Sequence, residues 1–134
     1  MSLPRWIEPQ LCKLATKAPS GPQWGHEIKL DGYRMAARIE GGRVKLLTRS
    51  GLDWTAKCPA TAAAIAKLKV RTAYLDGELC GVRPDGVTSF ELMQQGGEGL
   101  IYFAFDLLEL DGEDIVRLPL LKRDLVRLKR ILRL

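Results

Sequence analysis

Three glycine-marked reversals, Asp31-Gly32, Gly41-Gly42 and Ser50-Gly51, fall close together early in the chain. They leave between them only pieces of strand length. Trp24 to Leu30, Tyr33 to Glu40 and Arg43 to Arg49 are therefore predicted to be strands of an antiparallel meander. Alternation puts His26, Ile28 and Leu30 on one face of the first strand and Glu27, Lys29 and Asp31 on the other. Lys29 then sits at a strand end, between two acids and beside the turn. A lysine held this way is a candidate nucleophile. Its amine, with an ordinary pKa of about 10.4, must first lose a proton. Burial or neighbouring cations assist that loss, whereas Glu27 and Asp31 oppose it.

The later chain alternates helix and strand signals. Pro59 to Lys69 reads as an alanine-rich helix with Ile65 and Leu68 on its buried side and Pro59 in its first turn. Ala73 to Val82 reads as a strand with Leu75, Gly77 and Leu79 on one face and Asp76, Glu78 and Cys80 on the other. Arg83-Pro84-Asp85-Gly86 is a turn. Ser89 caps a short helix, Phe90 to Gln95, and Gly96-Gly97-Glu98-Gly99 is a loop. The strand Leu100 to Leu108 is apolar at nearly every position, which predicts burial on both faces. Glu109 to Asp114 is read as a turn, and Leu118 to Leu134 as a closing helix.

The net charge of +5 is not spread evenly. Residues 119 to 134 hold Lys122, Arg123, Arg127, Lys129, Arg130 and Arg133 against Asp124, which accounts for the whole excess. Leu121, Leu125, Leu128 and Ile131 or Leu132 recur there at helical spacing, so the helix is expected to be amphipathic with a basic outer face. Such a face is either simply solvated or a contact for nucleic-acid phosphates. At 134 residues the chain has the size of one domain. Its three widely spaced cysteines and single histidine match neither a disulfide framework nor a zinc site. With no signal-peptide pattern and no membrane-spanning apolar run, a cytoplasmic location without membrane attachment is expected.

Glu27-Ile28-Lys29-Leu30-Asp31-Gly32-Tyr33-Arg34 resembles the nucleotidyl-transfer motif of the covalent nucleotidyltransferases, the DNA ligases, RNA ligases and capping enzymes. Further matches follow in that superfamily's order: Thr48-Arg49-Ser50-Gly51, Leu75-Asp76-Gly77-Glu78, Phe103-Ala104-Phe105-Asp106-Leu107-Leu108 and Leu110-Asp111-Gly112-Glu113. The last two look most like ATP-dependent DNA ligases, closest to those of bacterial end joining. The resemblance implies an α+β fold of two antiparallel sheets with flanking helices, in which residues 1–23 are a lead-in and loop and 24–134 are part of an ATP-grasp-like adenylation domain. It implies Lys29 as the nucleophile that takes AMP from ATP in DNA nick sealing. Glu27, Ile28, Arg34, Glu78 and Phe105 would be the nucleotide contacts. Phe105 would stack on adenine, with Phe103 as the fallback, and Glu78 would meet the ribose or Mg²⁺. Asp76 would support the site, Arg49 would touch nucleic-acid phosphate, and nicked duplex DNA would be the partner. Glu27, as an acceptor for an exocyclic amine, favours adenine over guanine.

Two further motifs of that family, a Glu-Gly strand and a Lys-x-Lys strand that holds the α-phosphate, do not follow the phenylalanine strand here. The chain is accordingly expected to correspond to the first half or two-thirds of an adenylation domain. An alternative is a truncated module, weak or inactive in catalysis, that binds nucleotide, DNA or a partner. A capping or RNA-ligase activity is a third reading. Met1 to Arg5 is expected to be a loose terminus. The apolar strand Leu100 to Leu108 calls for cover, from a second copy of the chain or from a missing partner domain.

Overall fold

The computed structural model describes residues 2–96 and 99–132. Its centre is an antiparallel sheet built from β1 (Tyr33–Glu40), β2 (Arg43–Thr48), β3 (Thr72–Val82), β5 (Ile101–Leu110) and β6 (Glu113–Asp114), ordered β2-β1-β3-β5-β6. The short β4 (Thr88–Ser89) pairs with the end of β3. The expected α+β class and antiparallel pairing hold. The strands form one sheet among the described residues, where two were expected.

Gly41 and Gly42, both at positive φ, close the β1–β2 hairpin. Two left-handed residues match a two-residue turn to the twist of its strands, and glycine adopts that conformation without steric cost. One face of the sheet is apolar. Met35, Ala37 and Ile39 of β1, Leu75 and Leu79 of β3 and Leu107 of β5 are buried there, each larger side chain contributing roughly 2 kcal/mol. Helix α1 (Pro59–Ile65) covers this face with Ile65, and a π-helical segment (Lys122–Leu128) running into α3 (Lys129–Leu132) covers it with Leu128. The opposite face carries the polar residues of the alternation. Ser89 caps α2 (Phe90–Gln95) as expected, its hydroxyl accepting from the Leu92 amide at 3.3 Å.

Several expectations are corrected. Residues 24–31 form no strand. Both edges of β1 are taken, by β2 and β3, so the segment cannot pair with the strand it leads into and runs as an exposed loop. Asp31-Gly32 is consequently no hairpin. Helix α1 stops at Ile65, although Leu68 still packs on the core. Leu3 and Pro4 are not loose: Leu3 is only 6% exposed, and Arg38 donates to the carbonyls of Pro4 and Leu3 at 2.8 and 3.2 Å.

The apolar strand extends to Leu110 and is only half-buried over most of its length, with Ile101 at 44% exposure. Its second edge has no strand partner from Ile101 to Leu107 among the described residues, because β6 pairs only with Glu109 and Leu110 and the Ile115 amide donates to the Leu108 carbonyl at 3.1 Å. The predicted turn at Glu109 to Asp114 narrows to Asp111 and Gly112, with β6 returning beside it. In the closing helix the wide π turns shift the phase of the apolar stripe, leaving Leu121 66% exposed. Arg123 and Arg127 point back to Asp106 and Glu113 instead of lining an outer basic face. Met1, Gly97, Glu98, Arg133 and Leu134 lie outside the described residues.

Candidate functional site

The polar face of the sheet gathers the acids and arginine of the motifs. Arg34 on β1 donates from Nε and Nη2 to the two carboxylate oxygens of Asp76 on β3, at 2.7 and 2.6 Å. The Asp76 hydrogen bond raises the Arg34 pKa, which fixes its charge. The same guanidinium lies 5.0 Å from the centroid of the Phe105 ring, within cation–π range. Phe105 reaches this position through an irregularity: Gly77 pairs with Ala104 and Asp76 with Asp106, so Phe105 is the extra residue of a bulge in β5. Phe103 instead keeps its place in the ladder, opposite Glu78.

Glu78 is half-buried beside this pair. Burial pushes its carboxyl up, while Arg34 and Lys29 pull it down. Lys29 is thus within electrostatic reach of Glu78, although its loop is exposed and Ile28 is 87% exposed. The loop is pinned immediately downstream. The Asp31 amide donates to the Thr88 hydroxyl at 3.1 Å. A Cβ on Gly32 would lie 2.2 Å from the Leu79 carbonyl oxygen and 2.8 Å from Cys80 Sγ, so only glycine lets the backbone pass this close to β3. Glu27, Ile28 and Lys29 form the exposed arm that leaves this anchor. Cys80, buried behind it, has its thiol pushed up to about 11 by burial and is a poor competitor as nucleophile.

Arg49 lies in the turn after β2, exposed, and borders the same hollow as Arg34 and Asp76. Its turn is tied by Gly51, at positive φ, whose amide donates to the Thr48 carbonyl at 2.9 Å. The N-terminal segment crosses this face as a strap. The Ile7 amide donates to the Tyr74 hydroxyl at 2.9 Å, and the Trp6 ring lies over Gly51, in van der Waals range of where a Cβ would be. These strap contacts, with Arg38 and Tyr74, were not legible beforehand. Single residues on a coil segment carry no periodicity to mark them.

Oxygen donors for a hard cation are few. Among the described residues no three acidic, imidazole or thiol side chains converge as a metal cage, and Asp76 is engaged by Arg34. Glu78 fits Mg²⁺ only as one ligand beside phosphate oxygens and water, the usual mixture for this ion.

The family profile described as an ATP dependent DNA ligase domain matches residues 9–133. The chain belongs to that family. This ligase-family chain is 42% identical over 118 residues to the multifunctional non-homologous end joining protein LigD of Pseudomonas aeruginosa, covering 84% of its own length and 14% of the relative. It is 33% identical over 130 residues to the bifunctional LigD of Bacillus subtilis, covering 82% of its own length and 21% of that protein. The crystal structure of the ligase domain of M. tuberculosis LigD matches with a TM-score of 0.70 at 34% identity, over 78% of this chain and 36% of that one. A mycobacterial DNA ligase D complexed with ATP and MES matches with a TM-score of 0.68 at 35% identity, again over 78% and 36%. The chain thus spans about a seventh to a fifth of these curated relatives and about a third of the solved ligase domains.

Proposed function

We propose that this chain carries the nucleophile-bearing part of a DNA ligase adenylation site, with Lys29 accepting AMP from ATP. The observation that carries the reading is the anchored loop: Gly32 lies against Leu79 and the Asp31 amide donates to Thr88, and Lys29, two residues upstream, acts electrostatically on Glu78. In the step proposed, the unprotonated Nζ of Lys29 attacks the α-phosphorus of ATP. A P–N bond forms, the P–O bond to pyrophosphate breaks, and the amine proton passes to solvent. Phe105 offers a ring face for adenine, Glu27 an acceptor for its amine, Ile28 an apolar contact, and Arg34 and Glu78 polar contacts for the ribose. Bound Mg²⁺, with Glu78 among its ligands, would neutralise charge on the phosphates.

Arg49 is read as a contact for a phosphate of nicked duplex DNA, and DNA repair in the cytoplasm as the setting of the reaction. No helix among the described residues is long and apolar enough to cross a membrane. A second copy of the chain is proposed to cover the free edge of β5. The test is covalent labelling: incubation with [α-³²P]ATP and Mg²⁺ gives weak labelling of the chain that disappears in Lys29→Ala. Labelling that persists in Lys29→Ala removes Lys29 from the role. Binding of ATP or DNA with no covalent labelling in the unaltered chain supports the alternative of a non-catalytic binding module, which the exposure of the Lys29 loop also favours.

A further inference from the structure

A bulged residue is not held by the strand ladder, so something else must hold Phe105 where it meets Arg34. Its neighbour Asp106 supplies the grip. Arg123, from the C-terminal helical segment, donates to both carboxylate oxygens of Asp106, Nε to Oδ1 at 2.8 Å and Nη2 to Oδ2 at 2.9 Å. The remaining nitrogen of the fork, Nη1, donates to the carbonyls of Val116 and Leu118 at 2.8 and 2.6 Å, which ties the same side chain to the connection after β6. Asp106 Oδ1 also accepts from the Leu107 amide at 2.8 Å, stiffening the backbone just past the bulge. Both side chains are about six-sevenths buried, at 14% and 15% exposure, so water competes weakly for the pair.

We infer that Arg123, acting through Asp106, is a positioning residue that fixes the Phe105 ring on the site face of the sheet. The charge that would otherwise belong to a basic DNA-binding face is spent on this clamp. An ammonium in place of the guanidinium keeps the charge but loses the planar fork that spans carboxylate and carbonyls together. The clamp stands on these contacts alone. Its consequence for nucleotide binding rests on the reading of Phe105 given above.

The chain has three phenylalanines, Phe90, Phe103 and Phe105, so incorporation of 4-fluorophenylalanine yields three ¹⁹F resonances. Phe105→Leu identifies the Phe105 signal by its loss. Arg123→Lys and Asp106→Asn are each expected to shift and broaden that signal while the Phe90 signal stays in place; a general loss of fold would collapse all three. A Phe105 resonance unmoved in both folded variants overturns the inference. A second arm compares ATP with inorganic tripolyphosphate, which lacks a base. Arg123→Lys is expected to weaken ATP binding about tenfold and leave tripolyphosphate unchanged, with no further loss when combined with Phe105→Leu. If Phe105→Leu itself leaves the ratio of the two affinities unchanged, the assignment of Phe105 to adenine falls, and the ¹⁹F result still decides the clamp.

Discussion

Arg34 stands in register with Glu78, yet its guanidinium reaches diagonally to Asp76 and leaves Glu78 without that fork. The geometry sorts the two acids of β3: Asp76 is committed to holding Arg34, which leaves Glu78 open to the nucleotide role proposed for it. Asp76→Asn leaves the Arg34 charge partly buried without its counter-ion. The expected cost is about 2 kcal/mol, typical of a lost charged hydrogen bond. It should appear as a lower urea midpoint with an unchanged slope, and an unchanged midpoint would show that the pair contributes nothing to stability.

Glu78 predicts a pH dependence of definite sign. Burial raises its pKa above the ordinary 4.5, so the folded state binds this proton more tightly than the unfolded state. Its contribution to stability is therefore full below 4.5 and is lost as pH rises through the folded value. Glu78→Gln, which mimics the protonated form, should be more stable than the parent at pH 7 and equal to it near pH 4. Denaturation at the two pH values checks this; a destabilised variant at pH 7 contradicts it.

Gly32→Ala tests the anchor of the Lys29 loop. The new Cβ meets the backbone carbonyl of Leu79, which no side-chain rotation relieves, so the loop must move. A cost of about 1–3 kcal/mol is expected, with faster proteolysis of the loop and loss of Lys29 labelling. Gly25→Ala, where nothing lies within 4 Å of the added methyl, is the control and should leave stability within about 0.5 kcal/mol. Equal behaviour of the two variants would remove the anchor from the argument.

The sequence made the long-range architecture legible where a local rule had one solution. The Gly41-Gly42 hairpin, the acidic and apolar faces of β3 and the Ser89 cap all follow from period and turn chemistry. The Trp24 to Leu30 strand failed because alternation does not report whether the expected partner has an edge left, and both edges of β1 are taken by β2 and β3. Phe105 met Arg34 only because a bulge reset the alternation of β5, and bulges leave little trace in sequence. The basic helix was misjudged because charge counting ignores partners: Asp106 and Glu113 lie far upstream in sequence but adjacent in space.

With Arg123 and Arg127 turned inward, Lys122, Lys129 and Arg130 are the exposed cations of the described helix. If all three touch DNA phosphates, replacing them with glutamine should lower the slope of log affinity against log salt by about 2.7. Fluorescence anisotropy over a salt series measures this. An unchanged slope leaves that face merely solvated.

The last prediction concerns the free edge of β5. From Ile101 to Leu107 the strand has β3 on one side and no strand on the other among the described residues, and it is half-buried and largely apolar. Unpaired amides and carbonyls beside apolar side chains are a template for another strand. An antiparallel edge is complementary to its own copy across a two-fold axis, since each residue then finds the same partner in both directions. The chain is therefore expected to self-associate as concentration rises. Ile101, at 44% exposure on this edge, is the residue to change. Ile101→Lys places a charge where two copies would meet and should shift sedimentation towards monomer, with little change in the urea midpoint at low concentration. A parent chain that sediments as a monomer at high concentration would sink the idea.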